Sequence, residues 1–182
     1  MKDFFEVVNN RRSVRKYSDE QLKDEEIEKI IAAGIMAPTA IRLEPWHFTV
    51  IQDKDFLDEI NCKTIDFMKN SDDEHFKAMA KSNINVMHNA PTVIIVSVWN
   101  GAVHGVADGS AAIENILLAA EAMDIGSCWL GLISMAFKDD EITAKLDLPE
   151  DYVPLYGISL GYKSGGENFI VERNKNVVNW IK

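Results

Sequence analysis

Arg11, Arg12, Arg15 and Lys16 place four cations within six consecutive positions of RRSVRKYS, residues 11–18, in a chain whose formal net charge is −10. Guanidinium forks match phosphate oxygens in two-point geometry and keep their charge at any working pH, and Ser13 adds a hydroxyl donor between them. One reading of the cluster is a phosphate clamp. The other is a solvated helix end, where cations offset the helix dipole by about 0.3–1 kcal/mol. Spacing alone leaves both open.

A second stretch, APTAIRLEPWHF at 37–48, combines a helix stop at Pro38 with a polar loop, and Pro45 stiffens the entry to a strand that begins at Trp46. Such a loop exposes backbone N–H and C=O groups to any heterocycle with alternating donors and acceptors. It is equally an ordinary helix-to-strand connection. Asp108, near the start of a long helix, is read as a favourable helix-terminal charge rather than a catalytic acid. His47, His75, His88 and His104 show neither HxxxH nor HxH spacing, so no metal site is expected. Cys62 and Cys128 lack CxxC spacing and are expected to be buried thiols. Trp46, Trp99, Trp129 and Trp180 are read as core or interface residues, and SGGE at 164–167 as a turn before a terminal arm.

The elements that must position these residues follow from the apolar pattern. Phe4, Phe5, Val7 and Val8 fit a short amphipathic helix leading into the basic cluster. Asp24 is the expected N-cap of a helix through Ile27, Ile30, Ile31 and Met36. WHFTVIQD alternates Trp46, Phe48 and Val50 on one face of a half-buried strand, whereas PTVIIVSVW is an unbroken run that suits a central strand. Helical spacing covers 55–69, 74–88 and 106–124, with Asn83, Asn85 and Asn89 blurring the end of the second. In the third, Ile113, Ile116, Leu117, Ala120 and Met123 fill one stripe while alanines keep the other sides small, which predicts burial on more than one side. GSCWLGLI and VPLYGISLGY are two further strands, with a helix from Asp139 to Leu146 between them.

Helices outnumber strands without strict alternation, so the expected class is α+β in a single domain, 1–182. The 29 Asp and Glu against 19 Lys and Arg argue against a nucleic-acid partner. The charged N-terminus does not suit a signal peptide, and no apolar run approaches the roughly 18 residues of a membrane span, so the expected location is cytoplasmic.

RRSVRKY, APTAIRLEPWHF, DGSAAIENILLAAEAMDIGSCWLG and a basic C-terminal stretch stand in the order seen in the nitroreductase family, which this sequence resembles along nearly its whole length. The resemblance implies a central, mostly antiparallel sheet surrounded by helices and an intertwined homodimer, its C-terminal arm, about 167–182, packing on the partner subunit. It implies FMN as cofactor, with Arg11, Arg12, Ser13 and Arg15 on the phosphate and ribityl chain. Arg173 and Lys175 would reach the same phosphate from the arm. Pro38 and Thr39 would line the flavin ring and Glu44 its pyrimidine edge. Backbone N–H groups at Leu130 and Gly131 would approach flavin N5, a place where a backbone donor stabilises added charge without blocking the stacked substrate.

The implied reaction is hydride transfer from NADH or NADPH to a flat acceptor such as a nitroaromatic or quinone, by a ping-pong mechanism with no catalytic side chain. A flavin-binding sensor or storage protein is the alternative. The sequence also departs from the family pattern. Arg42 and Glu44 replace the usual Asn and Gln, and VERNKNVVNW lacks the family's proline. Arg42 either raises the flavin potential or points outward; Glu44 pairs with Arg42, accepts from flavin N3–H, or turns away.

Overall fold

The run Thr92–Trp99 is buried along all but its last residue, and this strand, β2, organises the protein. A computed structural model describes residues 3–82, 84–165 and 172–182. The other strands are β1 (Trp46–Ile51), β3 (Ile125–Leu130) and β4 (Tyr152–Tyr162), in the spatial order β1-β2-β4-β3. All three pairings are antiparallel, as expected, and a bulge interrupts the β2–β4 register between Val96 and Ser97.

Successive side chains of β2 point to opposite faces and so enter two separate cores. Val93 and Ile95 pack with Leu57, Ile60, Met68 and Ile133, beneath α3 (Lys54–Lys69), α4 (Glu74–Lys81) and the 3-10 segment Leu132–Lys138. Ile94 and Val96 pack with Ile27, Ile30, Ile113, Ile116 and Leu117, beneath α2 (Asp24–Ile35) and α5 (Gly105–Ala122). The short α1 (Phe4–Asn10) lies against α5, and α6 (Asp140–Lys145) follows the 3-10 segment. The long helix is buried along several sides, including Ala112, Ile113, Ile116 and Ala120, as its small residues predict.

Several expectations need correction. Lys23, not Asp24, is the N-cap of α2; its N–H donates to Glu26 Oε2 at 3.0 Å, so the carboxylate three residues on closes the helix end. α4 stops at Lys81 rather than near 88, where Ser82 Oγ donates to the Met79 carbonyl at 2.6 Å and competes with the helical ladder. The third strand ends at Leu130, before Gly131. Val50 is exposed although Trp46 on the same face is buried. Cys62 is exposed on α3, and only Cys128 is buried. α1 buries Val7 alone, leaving Phe4 and Phe5 exposed. Among the described residues, no helix is long and apolar enough to cross a membrane.

Candidate cofactor site

The basic stretch leaves α1 in extended conformation and attaches to the free edge of β3. Ser13 forms a parallel bridge with Ser127, and Val14 N–H donates to the Ser127 carbonyl at 2.9 Å. Farther on, Ser18 N–H donates to the Tyr162 carbonyl at 2.9 Å. Gly126 permits this approach: a Cβ there would stand 2.8 Å from Val14 Cγ1 and 3.1 Å from the Gly161 carbonyl oxygen. Extended backbone alternates its side chains, so Ser13, Arg15 and Tyr17 share one side. Tyr17 Oη donates to the Val14 carbonyl at 2.6 Å and meets Ser159 Oγ at 2.9 Å. Burial pushes the Tyr17 phenol far above its ordinary range, so it stays neutral and structural.

The three arginines of the expected clamp have different surroundings in the structure. Arg11 turns back toward α5, with Nε 3.5 Å from Glu114 Oε1. Arg12 donates to the carbonyls of Asn9 and Arg11, each at 2.7 Å. Arg15 instead lines a cavity of about 560 Å3 together with Leu130 and Gly131. Its guanidinium has no acidic partner among the described residues; its hydrogen bond runs to the Ser13 carbonyl at 3.4 Å. Thus a fixed positive charge lines the cavity with no counter-charge among the described residues. The walls are apolar at Met79, Ile84, Val86, Trp129 and Leu132, and polar at Asn85, His88 and Asn89. That combination suits a flat, largely apolar ligand carrying polar atoms along one edge.

Gly131 follows β3 and opens the 3-10 segment, where its carbonyl accepts from Ser134 N–H at 3.2 Å and Ser134 Oγ at 2.8 Å. No atom lies within 4 Å of where its Cβ would stand, so the space beside this backbone is open to a ligand. Cys128 is the buried thiol of the site. Burial pushes its pKa up, against the opposing pull of Arg15, Ser13 and Arg11, which leaves a neutral thiol rather than a nucleophile.

Pro38, Thr39, Arg42 and Glu44 do not join this cavity within one chain. Their loop leads into β1, at the opposite edge from β3, three strand spacings or roughly 14 Å away. Ala40 N–H donates to Asp108 Oδ1 at 3.1 Å, so the buried Asp108 at the first turn of α5 anchors the loop. Glu44 N–H donates to Thr39 Oγ1 at 3.2 Å. Ile41, Arg42 and Glu44 have φ of 50°, 60° and 47°, left-handed conformations that cost about 1–3 kcal/mol each in such residues. Among the described residues, Arg42 and Glu44 form no ion pair with each other, and both are exposed. Arg173 and Lys175 lie in an exposed segment, 172–182, without regular secondary structure. No hydrogen bond or ion pair among the described residues joins them to Arg11, Arg12 or Arg15. Residues 167–171 of the expected arm lie outside the described residues.

Met79, Ile84, Asn85, His88 and Asn89 are cavity residues that sequence reasoning missed. The available signal was NVMHN: polar residues break the helical pattern just before Pro91, and Asn and His are types that tolerate left-handed backbone. Among the described residues, no group of His, Cys, Asp and Glu is arranged to hold a metal ion.

Residues 8–162 match the profile of the nitroreductase family. A protein of Archaeoglobus fulgidus named as an NADH dehydrogenase/NAD(P)H nitroreductase is 34% identical over 180 residues, covering 93% of this chain and 90% of the relative. A protein of Methanothermobacter thermautotrophicus with the same name is 32% identical over 164 residues, covering 88% of this chain and 77% of the relative. Among solved structures, a Bacteroides fragilis nitroreductase with bound FMN superimposes with a TM-score of 0.91 at 29% identity, covering the whole of both chains. With a matching profile across most of its length, relatives that share a third of its residues, and the same arrangement of sheet and helices, the chain belongs to the nitroreductase family.

Proposed function

We propose that the protein is an FMN-dependent oxidoreductase that takes hydride from NADH or NADPH and passes it to a flat acceptor such as a nitroaromatic or quinone. The observation that carries this reading is the convergence of Arg15, Leu130 and Gly131 on one largely apolar cavity beside β3. These residues fit the group: an uncompensated guanidinium suits its polar or anionic portion, apolar walls suit its ring system, and open space adjoins the Gly131 backbone. When bound, FMN supplies the hydride chemistry.

The chain's own residues then have binding and orienting roles. Ser13 and Arg15 hold the polar portion, while Leu130 and Gly131 present backbone to the flavin's reacting edge. Met79, Ile84 and Leu132 exclude water from the ring. The chain is a single domain that works as a homodimer. Pro38, Thr39, Arg42 and Glu44 reach the site from the second copy, and its arm brings Arg173 and Lys175. Support for this arrangement comes from the sheet width that separates the two groups and from the exposed apolar Phe4, Phe5, Val177, Trp180 and Ile181.

The test is anaerobic mixing of FMN-loaded protein with NADH or NADPH, followed by an acceptor. The flavin absorbance should bleach with one of the nucleotides and return on addition of a nitroaromatic or quinone, and double-reciprocal plots should be parallel. Flavin that binds but stays oxidised would identify a sensor or storage protein instead. Sedimentation at micromolar concentration should give twice the chain mass.

A further inference from the structure

His88 and Asn89 have φ of 59° and 53°, two consecutive left-handed residues without a glycine between them. Such strain persists only where surrounding contacts over-determine it. Here they do: Asn85 Oδ1 accepts from Met87 N–H at 2.9 Å and Asn89 N–H at 3.2 Å, and the Asn85 carbonyl accepts from His88 N–H at 3.0 Å. Val86 N–H donates to Asn61 Oδ1 at 2.9 Å, pinning the turn to α3, and Val86 and Met87 are buried beside it. The result is an imidazole that lines the same cavity as Arg15.

Burial, and then the neighbouring Arg15 guanidinium, hold the His88 pKa below its ordinary value, so the ring is neutral near pH 7. Among the described residues, the other charged or titratable groups lining the cavity are Arg15 and Cys128, and no carboxylate lines it. His88 is therefore a base kept neutral first by its burial and then by the nearby fixed cation. A negative charge arriving within a few ångströms of such a group raises its pKa by about one to three units.

We propose that His88 takes up a proton from solvent when the cofactor in this cavity is reduced and releases it when the electrons leave, an inference that rests on the FMN reading above. A hydride carries two electrons and one proton from the dihydronicotinamide, which becomes a cation. That transfer would leave one added negative charge in the cavity, and the proton taken from solvent by the His88 imidazole would balance it. Reoxidation by the acceptor removes that charge and returns the proton to water. Arg15 supplies constant charge to the site, and His88 supplies the part that varies.

The experiment is a spectroelectrochemical titration of the FMN-loaded protein at several pH values from 6 to 8.5, for the parent chain and for His88→Gln. Each proton taken up per electron pair changes the equilibrium constant tenfold per pH unit, about 30 mV for a two-electron couple. The parent potential should fall with two protons per electron pair near neutrality, and the variant with one. Equal slopes would overturn the proposal. A second readout needs no variant: the 13Cε1 resonance of His88 should move from its neutral to its protonated position on reduction at pH 7, and an unmoved resonance would also overturn it. Flavin content measured beforehand separates the two ideas, because a chain that retains no FMN removes the cofactor reading itself and this inference with it.

Discussion

Segment 11–18 and loop 37–45 both carry residues of the proposed site, and the protein holds them by different means. The first is bonded to the sheet by its backbone, Val14 to Ser127 of β3 and Ser18 to Tyr162 at the end of β4, and Tyr17 adds a hydrogen bond to the Val14 carbonyl. The second hangs between α2 and β1 on the Asp108 contact to Ala40, the Thr39 hydroxyl and the Pro45 carbonyl, which accepts from Trp99 N–H at 2.8 Å. It contains three strained non-glycine residues, and Ile41 among them is exposed. One half of the site is preorganised by this chain. The other is shaped with little packing of its own, as suits a surface completed by a second copy.

The largest effect that would sharpen this contrast is expected from Arg15→Ala. Loss of a charge-assisted hydrogen bond, about 1.5–3 kcal/mol, should weaken FMN roughly 10- to 100-fold in a fluorescence-quenching titration with the far-ultraviolet spectrum unchanged. Unaltered affinity would break the assignment of the anchored half. Next is Gly126→Ala, which drives a methyl into Val14 and should cost about 1–3 kcal/mol by overpacking. Its specific signature is faster hydrogen exchange at the Val14 and Ser18 amides, together with weaker FMN.

Asp108→Ala acts on the other half. It removes a helix-terminal charge and the acceptor for Ala40 N–H, and about 1 kcal/mol of stability should go with them, lowering the apo Tm by about 2–4 °C. The Val14 and Ser18 amides should stay protected; exposure of both would mean that the two halves are coupled through α5. The smallest effect is expected from Glu44→Gln, a change at an exposed position without an ion pair among the described residues. Stability should stay within about 0.5 kcal/mol in thermal denaturation, so that any change in acceptor turnover reports something other than folding.

How legible the molecule was differs by level. The central strand could be recognised because burial on both faces demands a continuous β-branched run, and Val93 to Val96 satisfy that locally. The long helix was recognisable for the corresponding helical reason. Its Asp108 stands in the first turn, where the helix pattern places it, but its partner, Ala40, lies far away in sequence and no local pattern announces it. The cavity wall at 79–89 was harder still. Asn85, His88 and Asn89 resemble a frayed helix end until the turn is seen closing toward Arg15. Phe4 and Phe5 were read as the apolar face of a helix, yet nothing in their spacing says whether this chain or another covers them.

By itself the sequence determined the class of fold and most of the order of its elements, because periodicity and turn residues are local properties; the arginine cluster it left open between a phosphate clamp and a solvated helix end. Only the tertiary structure decided the surroundings of the arginines, with Arg11 beside Glu114 and Arg15 lining a cavity. It also decided that the residues of loop 37–45 stand across the sheet from that cavity. Which side chains share a space depends on strand order and on where a backbone can approach an edge. Those are global consequences of packing two cores around β2, and residue spacing does not encode them.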